Sequence, residues 1–194
     1  MKEDILQKKN VALWKLSAER LTAKNPTGFW ICKVFSALLG YIHKEDWQGA
    51  CHASCTVLYS LLSLKNISAT ICLGEVAYEG VFFDHSWVEI DGEIYDAAIS
   101  NTLTDLYWPP VFGGIDLASG DRPSLRYGTP SGQGYDARAQ WIRSISVSDY
   151  MSAFPDHPQG LFGLTKLIGK KAGIQVNIDA VRKVASNAVW KERA

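Results

Sequence analysis

The sequence predicts an α+β fold, in which a group of helices precedes a meander of antiparallel strands and further helices follow it. Three observations support this prediction. Apolar residues recur at helical spacing up to position 64, β-branched and alternating apolar residues fill positions 67–98, and helical spacing returns near position 147. The chain has 194 residues, 47% of them hydrophobic and 21% charged. This length and composition suit a single domain with its own core.

Two helices are expected in the N-terminal segment, residues 1–46. Apolar and charged positions over residues 2–23 have the spacing of an amphipathic helix, and Pro26 breaks the pattern. The more apolar run over 29–43 predicts a buried second helix, which is too short to span a bilayer. The charged start lacks the apolar core of a signal peptide. We therefore expect a cytoplasmic protein without a membrane partner.

Residues 47–100 are expected to form the central part of the domain. The predicted elements are a helix over 51–64 and strands over 67–76, 82–90 and 93–98. Asp91-Gly92 is a strong signal for a two-residue turn, so the last two strands should form a hairpin. The helix over 51–64 should pack on this sheet.

The rest of the chain divides into a loop-rich region, residues 101–146, and C-terminal helices in residues 147–194. The loop-rich region is dense in Gly, Pro and Ser, and one short strand is expected at 125–127. A loop region of this length inside a domain is often functional, for example as a rim around a substrate site. Helices are predicted over 147–154, 159–171 and 177–192.

Cys51, His85 and Asp96 form the candidate catalytic set. Cys51 starts a helix, where the helix dipole and free backbone N–H groups favour a thiolate and can stabilise an oxyanion. His85 and Asp96 lie at similar distances on either side of the Asp91-Gly92 turn, with a small offset, so a carboxylate–imidazole contact is expected. Acyl transfer needs these three groups as nucleophile, base and orienting carboxylate.

Several stretches of the sequence resemble those of a known family: Gly49-Ala50-Cys51, the leucine-rich helix and its exit at 61–70, His85-Ser86-Trp87-Val88-Glu89, and Asp96. The resemblance is to the transglutaminase-like branch of the papain-like cysteine enzymes, and the spacing is also similar to that of lasso-peptide leader peptidases. It covers residues 47–100, which are expected to form the catalytic core. The sequence departs from the family pattern at 65–68, where Lys-Asn-Ile-Ser replaces the usual glycine-isoleucine-proline. The resemblance implies a papain-like or transglutaminase-like core around a Cys-His-Asp triad.

The implied activity is acyl transfer through a thioester on Cys51. We expect hydrolysis of a peptide or amide bond, because water needs no dedicated acceptor site. Transfer to an amine, as in transglutaminases or arylamine acetyltransferases, is an open alternative, and so is an inactive binding module of the same fold. No cofactor is expected. Lys+Arg and Asp+Glu both count 20, so the basic excess typical of a nucleic-acid partner is missing.

Three further residues are weaker candidates for oxyanion or substrate contacts: Trp47, Gln48 and Trp108. Gln48 could donate a hydrogen bond to an oxyanion, as a glutamine does in papain-like enzymes. The two tryptophans could line a cleft, although loop aromatics often form local core. Asp84 and Asp91 are the alternatives to Asp96.

The neighbours of Cys51 also offer alternatives. Cys55 lies one helical turn later and is expected to pack inward, and His52 is expected to be structural or to lie at the rim, facing away from His85. Cys51, His52, Cys55 and His85 could together form a zinc site. Structural zinc sites more often use two CxxC pairs, which this chain lacks, so no metal is expected.

Overall fold

The structure, a computed structural model, describes residues 2–22, 26–103, 108–155, 157 and 159–194. The helices are α1 Lys2–Thr22, α2 Pro26–Lys44, α3 Cys51–Ser63, α4 Ala137–Ser144, α5 Val147–Ala153, α6 Gly160–Lys171 and α7 Ile178–Ser186, with a 3-10 helix at Ala98–Ser100. The strands are β1 Thr70–Tyr78, β2 Val81–Ile90, β3 Glu93–Asp96, β4 Val111–Phe112, β5 Ile115–Asp116, β6 Arg126–Tyr127 and β7 Lys191–Arg193. This combination of helices and a largely antiparallel sheet confirms the predicted α+β class.

The strands form one sheet in the order β5-β4-β3-β2-β1-β6, and β7 pairs in parallel with β1. The other pairs are antiparallel. The predicted hairpin between β2 and β3 turns on Asp91 and Gly92, whose φ angles are 52° and 83°. Two successive residues with positive φ are what a type I′ turn requires, which is why Asp-Gly suits this position.

The sheet separates two groups of buried side chains. The helices cover one face, where Val88 of β2 belongs to the main core with residues of α2 and α3. The loop-rich region covers the other face, where Trp87 and Trp108 are buried. Successive side chains of a strand point to opposite faces, so His85 shares the second face with Trp87, while Ser86 lies on the helix face. The start of α3 lies beside the middle of β2, where His52 contacts Ser86.

The C-terminal segment differs from the prediction of a helix over 177–192. The last helix ends at Ser186, and Lys191–Arg193 form β7 instead. β7 pairs with residues 72–74 of β1, so its backbone groups find partners on the outer edge of that strand. This long-range pairing has no signature in the local sequence.

The loop-rich region contains more regular structure than predicted. The short strand expected at 125–127 is present as β6, but β4, β5 and α4 were not predicted. α4 begins after Asp136, whose side chain accepts a hydrogen bond from the N–H of Ala139 at 2.7 Å. None of the helices in the described residues is long and apolar enough to cross a membrane.

Candidate active site

Cys51 is the first residue of α3, and its side chain is half-buried. Gly49, two residues earlier, has a φ of 62°, and a Cβ at this position would lie 2.6 Å from Cγ of Leu103. Ala50 precedes the helix without any side-chain cap, so no capping group competes for the N–H groups of the first turn. The sulfur therefore lies at the positive end of the helix dipole, beside backbone donors.

The pKa of the Cys51 thiol lies well below its ordinary value. Burial by itself raises this pKa, because it disfavours the charged form. The imidazoles of His52 and His85 lower it through charge and hydrogen bonding, and their combined effect is the larger one. Since the thiolate is the nucleophilic form of cysteine, this surrounding favours reactivity at Cys51.

His85 and Asp96 are in contact across the hairpin, as the sequence predicted. Nε2 of His85 lies 2.6 Å from Oδ2 of Asp96, and the two residues are only 4% and 3% exposed. The pairing of Val88 with Tyr95 sets the strand register, so His85 and Asp96 are diagonal neighbours on one face. Because Nε2 faces the carboxylate, Nδ1 is the nitrogen left for the thiol.

The pKa of His85 is raised to about 10. Burial acts to lower it, but the charges of Asp96 and Cys51, together with hydrogen bonds to both groups, raise it by more. The lowered pKa of Cys51 and the raised pKa of His85 share one cause, which is the interaction between the two groups. Each group stabilises the charged form of the other, so the pair favours thiolate and imidazolium together.

Four groups among the described residues donate hydrogen bonds to Asp96. Oδ1 accepts the backbone N–H groups of Ala98, at 3.0 Å, and Ile99, at 3.2 Å. Oδ2 accepts the hydroxyl of Tyr127 at 2.8 Å in addition to Nε2 of His85. The carboxylate is therefore held on both oxygens, and its orientation toward His85 is fixed.

The two alternative carboxylates are engaged elsewhere or exposed. Asp84 lies on the opposite face of β2 from His85, and its Oδ2 accepts the N–H of Asp136 at 2.7 Å. Asp91 is exposed in the hairpin turn. Of the three carboxylates considered from the sequence, Asp96 is the one in contact with the imidazole.

His52 is buried, which is the structural one of its two expected positions. Its exposed fraction is 7%, Nδ1 lies 2.7 Å from Oγ of Ser86, and its ring packs edge-on against Trp190. Its effect on the pKa of Cys51 was not anticipated from the sequence. The only signal was its position beside Cys51 in the first turn of α3, where a side chain can reach β2.

Cys55 packs inward, as expected. Its exposed fraction is 3%, and Sγ donates to the carbonyl oxygen of His52 at 3.2 Å. Burial raises the pKa of Cys55 well above its ordinary value, and the negative charges of Cys51 and Asp96 raise it further. This environment disfavours a thiolate at Cys55, in contrast to that of Cys51.

The described residues contain no group of three or more His, Cys, Asp or Glu side chains arranged to hold a metal ion. The residues considered for zinc have other partners. The Cys55 thiol faces a backbone carbonyl, His52 faces Ser86, and His85 faces Asp96.

The three weaker candidates occupy different environments. Gln48 is exposed and lies just before the helix start. Trp47 is half-buried and packs against Phe154, with 6.2 Å between ring centroids. Trp108 is only 6% exposed and is stacked on Phe83 in the core on the second face of the sheet. The surroundings of Trp108 suit packing better than contact with a substrate.

Comparison with models of protein families gives a match over part of the chain. Residues 31–105 match the family model of the transglutaminase-like superfamily, which includes cysteine peptidases and acyltransferases. The matched segment contains Cys51, His85 and Asp96. Neither the curated proteins nor the solved structures provide a match. The family match confirms, over residues 31–105, the resemblance to the transglutaminase-like superfamily that the sequence predicts.

Proposed function

We propose that this chain is a cysteine-dependent acyl-transfer enzyme with a papain-like core. In this proposal Cys51 is the nucleophile, His85 the general base and acid, and Asp96 the carboxylate that orients the imidazole. The observation that carries the proposal is the joint arrangement of these groups. A thiol of lowered pKa at a helix start interacts with an imidazole whose Nε2 lies 2.6 Å from a buried carboxylate. The family match supports a cysteine-based reaction.

In the first half of the reaction, the thiolate of Cys51 attacks the acyl carbon of the substrate. The resulting oxyanion is stabilised by backbone N–H groups in the first turn of α3. His85 then gives the proton on Nδ1 to the leaving amine as the carbon–nitrogen bond breaks. The products of this step are a free amine and a thioester on Cys51.

In the second half, His85 takes a proton from water as the water oxygen attacks the thioester. The carbon–sulfur bond breaks, a carboxylic acid leaves, and the thiolate–imidazolium pair is restored. Asp96 keeps its charge throughout and holds the imidazolium in place. We propose hydrolysis of a peptide or amide bond, since water reaches a thioester without a dedicated binding site.

The proposal is tested by the rate at which iodoacetamide alkylates Cys51 as a function of pH. A free thiol with a pKa of about 8.5 is only about 0.3% ionised at pH 6, so a fully formed thiolate raises the reactive fraction by up to about 300-fold there. Lower intrinsic nucleophilicity offsets part of this gain. We expect fast alkylation at pH 6 in the wild type, and a midpoint shifted upward toward that of a free thiol in His85→Ala.

His157→Ala is the matched control, because the imidazoles that lower the pKa of the Cys51 thiol are those of His52 and His85. It should leave the alkylation profile unchanged. Incubation with p-nitrophenyl acetate should then add one acetyl group to Cys51, which water removes over time. If wild type and His85→Ala share the midpoint of a free thiol, the pair does not form and the proposal fails.

A further inference from the structure

The hydroxyl of Tyr127 reaches the carboxylate of the candidate triad from a distant part of the chain. It donates to Oδ2 of Asp96 at 2.8 Å, and that oxygen also lies 2.6 Å from Nε2 of His85. We propose that Tyr127 is a positioning residue, whose hydroxyl fixes Asp96 in the orientation that receives the imidazole N–H. This inference rests on the proposed function and extends its machinery beyond the triad.

The bonding capacity of the carboxylate explains why one more donor matters. A carboxylate oxygen offers two lone pairs near its plane, and at Oδ2 these face the imidazole and the phenol. Oδ1 is occupied by two backbone N–H groups of the 3-10 helix region. The tyrosine therefore fills the remaining acceptor direction, and the carboxylate has no unused lone pair that would favour rotation away from His85.

The ring of Tyr127 is held as firmly as its hydroxyl. It packs edge-on against Trp87, with 5.1 Å between ring centroids, and lies 6.3 Å from the ring of His85. Its backbone belongs to β6, in which Tyr127 pairs with Val76 of β1. Two residues after Tyr127, the N–H of Thr129 donates to the carbonyl of Glu75 at 3.1 Å. The residue that carries the hydroxyl therefore belongs to a strand held by backbone hydrogen bonds and not to a free loop.

The protonation state of Tyr127 suits a permanent donor. Burial raises the pKa of its phenol well above the ordinary value, and the neighbouring charge of Asp96 raises it further. The hydroxyl consequently keeps its proton at any pH at which the thiolate–imidazolium pair operates. The loop-rich region thereby contributes a side chain to the candidate active site, in addition to any contact with substrate.

Tyr127→Phe removes this one hydroxyl and keeps the ring. Without the Tyr127 hydroxyl, the Asp96 carboxylate accepts one hydrogen bond fewer, so its charge attracts the proton of His85 more strongly. The carboxylate is also less firmly oriented toward His85. We expect the alkaline step in the alkylation profile, which reports loss of the imidazolium proton, to move to higher pH. We also expect acetylation of Cys51 by p-nitrophenyl acetate to slow by about ten- to a hundredfold, as for loss of a hydrogen bond to a charged group.

Tyr135→Phe is the matched control, since the Tyr135 hydroxyl faces the backbone carbonyl of Leu73 at 3.5 Å and not the triad. It should change neither the alkaline step nor the rate of acetylation. Site-specific replacement of Tyr127 by a fluorinated tyrosine, a stronger donor, should move the alkaline step to lower pH. This second variant keeps the ring and the hydrogen bond, so it remains informative if Tyr127→Phe does not fold.

The outcomes separate this inference from the proposed function. If His85→Ala has the same alkylation profile as the wild type, both the proposed function and the role of Tyr127 are overturned. If His85→Ala changes the alkylation profile but Tyr127→Phe has the same profile as the wild type, only the role of Tyr127 is overturned. A fall in rate without a shift of the alkaline step would overturn it as well, because general loosening of the fold slows acylation without changing the imidazole.

Discussion

Replacing Asp96 by Asn removes the charge of the buried carboxylate and keeps the shape of the side chain. The remaining oxygen can still accept the N–H groups of Ala98 and Ile99, so the 3-10 helix and the hairpin should persist. The new amide group would face Nε2 of His85 at a position 2.6 Å away, where it donates instead of accepting. His85 must then carry its proton on Nδ1, the nitrogen that serves the thiol, and can no longer act as a base toward Cys51.

The size of the effect follows from this loss of the correct tautomer. In serine proteases, the corresponding change of Asp to Asn leaves the geometry intact and lowers kcat by about 10⁴-fold. At about 1.36 kcal/mol for each tenfold, this is about 5.4 kcal/mol of transition-state stabilisation. In this chain the imidazolium also loses its carboxylate partner, so the thiolate of Cys51 is less populated near neutral pH. We expect acetylation of Cys51 to fall by about 10³–10⁴-fold.

The assay is the rate of nitrophenolate release from p-nitrophenyl acetate at neutral pH, with intact-mass detection of the acetylated protein. Asp84→Asn is the control, because Asp84 accepts a backbone N–H and does not contact His85. It should change the rate by less than about threefold, since the imidazole keeps its own partner. An Asp96→Asn rate within tenfold of wild type, or a larger loss in Asp84→Asn, would refute the assigned role of Asp96.

Two further changes test the surroundings of the site. Substoichiometric iodoacetamide near neutral pH should label Cys51 almost alone, and peptide mapping that finds the label on Cys55 would contradict the assignment of Cys51 as nucleophile. Cys55→Ala should keep acetylation while losing about 1–2 kcal/mol of stability through the small cavity it leaves. Gly74→Ala should destabilise the fold by about 1–3 kcal/mol in thermal or denaturant unfolding, because its Cβ would lie 2.6 Å from the carbonyl oxygen of Arg193. Gly40→Ala in helix α2 is the control, because the added Cβ would meet only the end of the flexible Lys15 side chain. An equal loss of stability in Gly40→Ala would contradict the steric explanation.

The parts of the site that could be predicted from the sequence are those that local geometry enforces. A helix that starts at Cys51 fixes the thiol beside the first-turn N–H groups whatever the rest of the fold does. The Asp91-Gly92 turn allows one tight register, and that register determines that His85 and Asp96 are diagonal neighbours. His85 and Asp96 are only 11 residues apart, so a short stretch of sequence contains all the information needed.

The parts that could not be predicted depend on contacts between distant segments. Tyr127 lies 31 residues from Asp96, and the short strand that carries it gives no indication of which strand it joins. The burial of His52 depends on Ser86, 34 residues away, and on Trp190 in the C-terminal segment. Propensity and periodicity describe single elements. The pairing of β6 and β7 with β1 depends instead on backbone hydrogen bonds between segments that are far apart in the sequence.

Glu89 links the local and the long-range parts of the structure. The sequence motif includes it two positions after Trp87, and in the structure it accepts the indole N–H of Trp87 at 3.1 Å. It also forms an ion pair with Arg193 of β7, 104 residues further along the chain, whose Nε lies 3.0 Å away. Trp87 in turn packs against Tyr127, which is bonded to Asp96. Glu89 therefore anchors Trp87 to the C-terminal strand, and the surroundings of the candidate triad depend on β6 and β7, which both pair with the edge of β1 opposite β2.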